Sequence, residues 1–133
     1  MHDDPSLIGA PLVLLDTIAA LSASDAGAVV VTGSPAGAVS ARYAQRVPVL
    51  GLVLNDAGVG KDRAGIAGLD LLDQSGIPAA AVSHQSARIG DAEDTFKSGV
   101  VSHANREAAR RGVAAGQSTG EAVRRLAAGL ATC

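Results

Sequence analysis

The sequence has very few aromatic residues: its 133 positions hold one Tyr, one Phe and no Trp. Aromatic side chains supply large buried areas, so their scarcity predicts a core of small side chains, in which 16 glycines allow backbones to pack closely. The scarcity also removes the stacking surfaces on which proteins bind single-stranded nucleic acid. A thin core favours a homo-oligomer, in which a second copy covers part of the apolar surface. An adequately stable monomer is the alternative.

Cysteine and net charge are scarce as well. The one cysteine, Cys133, cannot form a disulfide within the chain, which indicates a reducing compartment. The net charge of −2 lacks the basic surplus typical of nucleic-acid-binding proteins. The first five residues are acidic where a signal peptide is basic, and the apolar run at 12–15 is far too short to span a bilayer. We therefore expect a cytoplasmic protein with no nucleic-acid or membrane partner.

Three short, continuously apolar runs predict strands that are buried on both faces, at residues 28–32, 48–54 and 77–82. Apolar periodicity and capping residues predict helices at 11–23, 38–46, 62–75 and 94–111, with a last helix from 118. The alternation indicates one α/β domain over residues 1–133, with a flexible segment at 1–10. Its predicted architecture is a small three-layer αβα domain with a short, mainly parallel sheet, Rossmann-like or flavodoxin-like.

Each predicted strand runs into a polar segment, at residues 33–37, 55–62 and 83–91. Parallel strands point the same way, so these three loops are expected at one edge of the sheet. Ligands of open α/β sheets bind at that edge, near a reversal in strand order. The turns at the opposite edge are short and plain. The pattern therefore predicts one ligand site built from the three loops.

The first loop contains Gly33, Ser34 and Gly37, directly before a predicted helix. Backbone N–H groups at the start of a helix suit a carboxylate or phosphate, and Ser34 adds a hydroxyl. The spacing matches neither a dinucleotide-binding fingerprint nor a nucleophile elbow. A tight turn capped by Ser34 is the alternative.

The second loop contains Asn55, Asp56, Gly58, Gly60 and Lys61. Lys61 would neutralise an anion, and Asp56 would accept a proton, bind Mg²⁺ or orient a hydroxyl. The spacing of the glycines does not match the phosphate loop of Walker nucleotidases. A solvated loop with Asx turns is the alternative, although a polar pair directly after a buried strand favours a role.

The third loop contains Ser83, His84, Ser86, Arg88 and Asp91. An imidazole after a buried strand can carry protons near neutral pH, and a guanidinium offers a planar fork to a carboxylate or phosphate. The alternatives are a histidine that is merely hydrogen-bonded and an aspartate that caps the next helix.

Together these residues suit an enzyme that acts on a small anionic metabolite, a carboxylate or phosphate, by hydrolysis, elimination or isomerisation. His84 and Asp56 would move protons. No cofactor fingerprint is present, so no cofactor and no metal site are predicted, although carboxylates on separate loops leave a metal-dependent version open. The alternative is a non-catalytic ligand-binding module or an accessory subunit of a larger complex. His103 falls within the predicted 94–111 helix, away from the site.

Overall fold

A five-stranded sheet forms the centre of the computed structural model, which describes residues 9–128. The strands are β1 (Leu12–Leu15), β2 (Val29–Pro35), β3 (Gly51–Asn55), β4 (Ala79–Val82) and β5 (Val101–Ala104). They lie side by side in chain order. The first four are parallel, and β5 pairs antiparallel with β4. The sheet thus has no reversal in strand order among its parallel strands.

Helices cover both faces of the sheet. They are α1 (Ala38–Ala44), α2 (Ala67–Gln74), α3 (Ala92–Ser98), α4 (Arg106–Ala109) and α5 (Thr119–Ala128). The first face packs against α1, α2 and a 3-10 turn at Ile18–Ala20, and the second packs against α3, α4 and α5. This is the predicted α/β class with three αβα layers. Within residues 9–128 no helix is long and apolar enough to cross a membrane.

Alternate residues of the central strands enter the two cores. Val30 and Leu52 pack on the first face, while Val31 and Val53 pack on the second, and all four side chains are fully buried. Burial on both faces explains why these strands read as continuous apolar runs rather than as alternating patterns. The three strands predicted from those runs are confirmed as β2, β3 and β4, with bounds shifted by a few residues.

The helix predicted at residues 11–23 is wrong. Leu12–Leu15 instead forms β1, which pairs in parallel with β2 from Leu12 opposite Val29 to Leu15 opposite Thr32. A short apolar run such as Leu12–Leu15 fits a helix as well as a strand, and pairing with the open hydrogen-bonding edge of β2 decides for the strand. Most of the flexible segment predicted at residues 1–10 lies outside the described residues, as does Cys133.

The single helix predicted at residues 94–111 is also wrong. The chain forms α3, then β5, then α4. Gly99 ends α3 at a crowded turn, where an added Cβ would lie 2.5 Å from the hydroxyl of Thr119. Asn105 then starts α4, because its side-chain oxygen accepts the N–H of Ala108. The helix was predicted because apolar residues recur at steps of four across both elements.

The last helix begins where the sequence predicts. Ser118 accepts the N–H of Glu121 at 3.1 Å, which is half of a capping box. The Glu121 side chain completes no box, because it pairs instead with Arg124 and Arg125.

Candidate functional site

The carboxylate of Asp56 follows β3 directly and is almost fully buried, with 5% of the residue exposed. Its Oδ1 accepts the backbone N–H groups of Gly58 at 2.8 Å and His84 at 3.1 Å. Its Oδ2 accepts the Ser102 hydroxyl at 2.7 Å. A buried charge is tolerated only when it is well satisfied. Asp56 thereby joins the second loop, the third loop and β5.

The imidazole of His84 adds a further contact to this carboxylate. Its Nδ1 lies 3.3 Å from Oδ1 of Asp56, and 47% of the side chain is exposed. Gly58 lies against the ring, since a Cβ added there would sit 3.6 Å from its Cε1. The predicted pair of Asp56 and His84 is thus in contact, with one face of the imidazole towards solvent.

Ser102 reaches Asp56 because β5 is irregular at this point. His103 pairs with Ala81 and Val101 pairs with Val82, which leaves Ser102 as an extra residue in a bulge. Bulges redirect side chains and are frequent next to active sites. The Ser102 hydroxyl also lies 3.0 Å from Nδ1 of His103. We call Asp56, His84, Ser102 and His103 the Asp56 network.

Hydrogen positions in the Asp56 network follow from its geometry. An ionised Asp56 has no proton to give, so its 3.3 Å contact with Nδ1 of His84 favours the tautomer with the hydrogen on that nitrogen. The single hydroxyl hydrogen of Ser102 goes to Asp56 at the shorter distance, so Nδ1 of His103 must donate to Ser102. With the hydrogen on Nδ1 of each ring, Nε2 is left as the nitrogen that could act as a base.

Burial alone would raise the pKa of the Asp56 carboxyl. The hydrogen bonds from Ser102, from the N–H groups of Gly58 and His84, and from the His84 side chain outweigh that effect and hold the pKa below its ordinary value. Asp56 is consequently a carboxylate at neutral pH. A positive charge on the His84 ring would meet a fixed negative partner in this carboxylate.

The loop after Asp56 holds a strained backbone. Four residues other than glycine have left-handed φ values, namely Ala57 at 52°, Val59 at 65°, Asp62 at 56° and Arg63 at 58°. Such conformations cost about 1–3 kcal/mol each and cluster at ligand sites. The loop is held by Gly65, whose N–H donates to the carbonyl of Val59 at 2.7 Å. An added Cβ at Gly65 would meet backbone atoms at 2.4 Å.

Several predicted ligand-binding residues secure the loops to one another. Fully buried Asn55 donates to the carbonyl of Ala87 and accepts the N–H of Ala57. Ser83 donates its N–H to Val100, and Ser86 both donates to the Ser83 carbonyl and accepts the N–H of Val100. These contacts set the position of His84 relative to Asp56.

Residues of the first predicted loop do the same. Gly33 and Ser34 belong to β2, which continues to Pro35 after an irregularity in its pairing with β3. Ser34 accepts the N–H of Ile18 at 2.9 Å. Gly37 is the N-cap of the short helix α1, and Asp91 caps α3 by accepting the N–H of Asp94. A cap is the alternative function that the sequence allowed for Asp91.

Gly33 marks the closest approach between β2 and the third loop. Its carbonyl accepts the N–H of Gly90 at 2.7 Å, and a Cβ added at Gly33 would lie 2.3 Å from the nitrogen of Asp91. Only glycine fits there. This contact holds the third loop, and with it His84, against the end of the sheet.

The remaining predicted residues are the basic ones and the glycines of the second loop. Lys61 and Arg88 are exposed. The N–H groups of Gly58 and Gly60 bond within the loop, to Asp56 and to the Gly58 carbonyl respectively. These two amides are therefore already used within the loop, whereas the side chains of Lys61 and Arg88 face solvent.

A groove of about 250 Å³ lies beside the Asp56 network. Residues between Asp62 and Asp70 form one wall, and the end of β5, with His103, forms the other. Asp62, Arg63 and Asp70 bring charges to it, while Ile66 and Leu69 contribute apolar surface. Within residues 9–128, no group of three or more His, Cys, Asp or Glu side chains is arranged to hold a metal ion.

Ser102 and His103 were missed by sequence reasoning, and the prediction that His103 sits in a helix away from the site is wrong. The signal for β5 was present in Val100, Val101 and the glycine before them. Because β5 runs antiparallel to β4, its first residues reach the same edge as the three loops.

Comparisons with protein-family models, with curated proteins and with solved structures each found no match for this chain. What the protein does must be inferred from the Asp56 network and its surroundings.

Proposed function

We propose that the protein is an enzyme that moves protons on a small anionic metabolite, with Asp56 and His84 as its central pair. Hydrolysis, elimination and isomerisation are the reaction classes that this set serves, since each needs a positioned acid or base. The observation that supports the proposal is the 3.3 Å contact between Nδ1 of a half-exposed imidazole and an ionised, buried carboxylate.

The contact supports a catalytic role, because the Asp56 carboxylate has enough hydrogen-bond donors without the His84 side chain. The carboxylate already accepts two backbone N–H groups and the Ser102 hydroxyl. The imidazole is an additional contact with 47% of its side chain exposed, and within residues 9–128 no group forms a hydrogen bond with its Nε2. Carboxylate–imidazole pairs fix the tautomer of the ring and stabilise the imidazolium that forms during catalysis.

In the proposed reaction, Nε2 of His84 takes a proton from the substrate or from an attacking water. The positive ring is then stabilised by Asp56, and the proton returns to the leaving group or to the product. Lys61 and Arg88, on the two loops that the carboxylate joins, would hold the carboxylate or phosphate of the substrate. His103 is linked to the same carboxylate through Ser102 and supplies a second base.

A non-catalytic ligand-binding module or accessory subunit is the second candidate. The exposure of His84 favours it, because 47% of the side chain faces solvent whereas most catalytic bases lie in a more enclosed place. The two candidates differ in what happens to a bound molecule, not in where it binds.

We expect His84→Ala to lower turnover by about 10²–10⁴-fold with little change in ligand affinity, because a general base is removed while the anion-binding side chains remain. Proton NMR in D₂O, with small carboxylates and phosphate esters, reports both substrate loss and exchange of C–H groups. Gln85→Ala is the matched control, since Gln85 is an exposed neighbour on the same loop. Wild-type turnover in His84→Ala would overturn the proposal, and binding without any turnover would favour the module.

We further propose a cytoplasmic homo-oligomer without a nucleic-acid partner. The edge strand β1 supports self-association, because none of its four apolar residues is fully buried and Leu14 is 42% exposed. Open apolar edges pair readily with another chain. The thin core that first favoured an oligomer is consistent with such an edge.

A further inference from the structure

We propose that the groove beside His103 binds the substrate, and that this substrate is a small zwitterion with one carboxylate and one ammonium group. The inference rests on the proposed function for the chemistry that follows binding, but not for binding itself. It narrows the anionic metabolite to a molecule that also carries a positive charge, and it assigns the carboxylate to Arg63 in place of Lys61 and Arg88.

The size of the groove limits its ligand. Its volume of about 250 Å³ falls below the roughly 300–1,000 Å³ typical of drug-sized ligands. Ile66 and Leu69 are buried residues that give the groove an apolar portion. A short aliphatic molecule with charged ends fits this combination of size and surface.

The charges along the groove are of both signs. Asp62 and Asp70 are acidic and Arg63 is basic, and within residues 9–128 their side chains make no hydrogen bond or ion pair with another residue. Arg63 suits a carboxylate because its guanidinium can donate two parallel hydrogen bonds. The two aspartates suit an ammonium group. A purely anionic ligand would leave both aspartates facing like charge.

The backbone brings two of these side chains to the groove at an energetic disadvantage. Asp62 and Arg63 both adopt left-handed φ values, of 56° and 58°. Glycine would relieve this conformation, so the presence of two charged residues there calls for a role. In contrast, Asn105 on the opposite wall has its amide fully used by backbone groups and serves structure alone.

His103 connects the groove to the Asp56 network. Its Nδ1 donates to Ser102, which donates to Asp56, so the base on its Nε2 is supported by the same carboxylate as His84. A zwitterion held in the groove lies beside that base. The His103 ring would orient the ligand, and the proton transfer itself would remain with His84 as in the proposed function.

The test is an NMR titration of the wild-type protein with L-alanine and β-alanine, compared with propionate and ethylamine. We expect saturable shifts at backbone amides of residues 62–70 and 103–105. The zwitterions should bind at least about tenfold more tightly than either single-charge probe, since a hydrogen bond to a charged group contributes about that factor. Equal binding of propionate, or no saturable shift in the groove with either zwitterion, would overturn the inference.

Variants separate the two charges. Arg63→Gln should weaken zwitterion binding about tenfold or more, and Asp62→Asn combined with Asp70→Asn should do the same through the ammonium group. Arg42→Gln, on the exposed surface of α1, is the charge-matched control and should bind normally. Full affinity in both groove variants would also overturn the inference.

His84→Ala distinguishes failure of this inference from failure of the proposed function. It should leave zwitterion binding in the groove intact while it removes turnover. Groove binding with unchanged turnover in His84→Ala would contradict the proposed function and leave the ligand class standing. Turnover of another class of molecule that causes no shift in the groove would support the proposed function and contradict the zwitterion in the groove.

Discussion

Replacing Asp56 with alanine is expected to lower the free energy of unfolding by about 2 kcal/mol, because the change leaves two partly buried backbone N–H groups without an acceptor. These donors are the N–H groups of Gly58 and His84, whereas the hydroxyl of Ser102 can still donate to the carbonyl of Ala81 at 3.3 Å. Each unsatisfied donor costs about 1–3 kcal/mol, and water that enters beside the half-exposed His84 ring recovers part of the total. Urea unfolding at neutral pH measures the difference.

Asp70→Ala is the matched control for Asp56→Ala. Asp70 is exposed, so its removal should change the free energy of unfolding by less than about 0.5 kcal/mol. Asp56→Asn should fall between the two, because an amide oxygen still accepts the two N–H groups while the charge is gone. If Asp56→Ala were no more harmful than Asp70→Ala, the carboxylate would not be what joins the two loops to β5.

The effect of Asp56→Ala should depend on pH in a defined direction. The hydrogen bonds to Asp56 lower its pKa in the folded protein, so the carboxylate stabilises the fold at neutral pH. That stabilisation is fully present above the pKa of an unfolded aspartate and is lost as the pH falls through the lowered pKa of the folded state. The gap between wild type and Asp56→Ala should therefore narrow on acidification.

Gly33→Ala is expected to destabilise the protein by about 3 kcal/mol or more, as a severe case of overpacking. The added Cβ would lie 2.3 Å from the nitrogen of Asp91 and 2.5 Å from the carbonyl carbon of Gly90. Both are backbone atoms, so no side chain can turn aside. The third loop must move away from β2, and the hydrogen bond from Gly90 to the Gly33 carbonyl is lost.

Gly37→Ala tests whether the space at Gly33, rather than any glycine at this edge, is what matters. A Cβ at Gly37 would be 3.4 Å from its nearest neighbour, and its φ of −83° suits any residue. We expect a change of less than about 1 kcal/mol, from the weaker N-cap that alanine makes. Thermal unfolding of the two variants side by side measures the contrast. Equal stability would mean that β2 and the third loop are not in the close contact described.

The central strands could be predicted because burial on both faces leaves an unmistakable pattern. Val29–Pro35 and Gly51–Asn55 lie inside the sheet, and their apolar runs are too short for a buried helix. The edge strands could not be predicted in this way. Leu12–Leu15 and Val101–Ala104 are only partly buried, and their apolar residues also fit helical spacing. Pairing with a neighbour strand, which no local pattern encodes, decides their structure.

The contact between Asp56 and His84 could be expected from the sequence, because parallel strands place the loops that follow them at one edge of the sheet. Ser102 was not, since its position depends on a bulge in a strand that had not been recognised. Polarity also cannot separate a side chain that binds a ligand from one that holds a loop. In the sequence, Asn55 and Ser34 resemble ligand-binding residues, yet their hydrogen-bond partners lie within the protein.

The most direct test of the account is the protonation of the two imidazoles, measured by proton–nitrogen correlation NMR at alkaline pH. His84→Ala and His103→Ala assign the ring signals. The Asp56 network predicts that each neutral ring carries its hydrogen on Nδ1 and leaves Nε2 bare. A His84 ring with its hydrogen mainly on Nε2 would contradict the account, because such a ring could neither donate to Asp56 nor accept a proton at its exposed nitrogen.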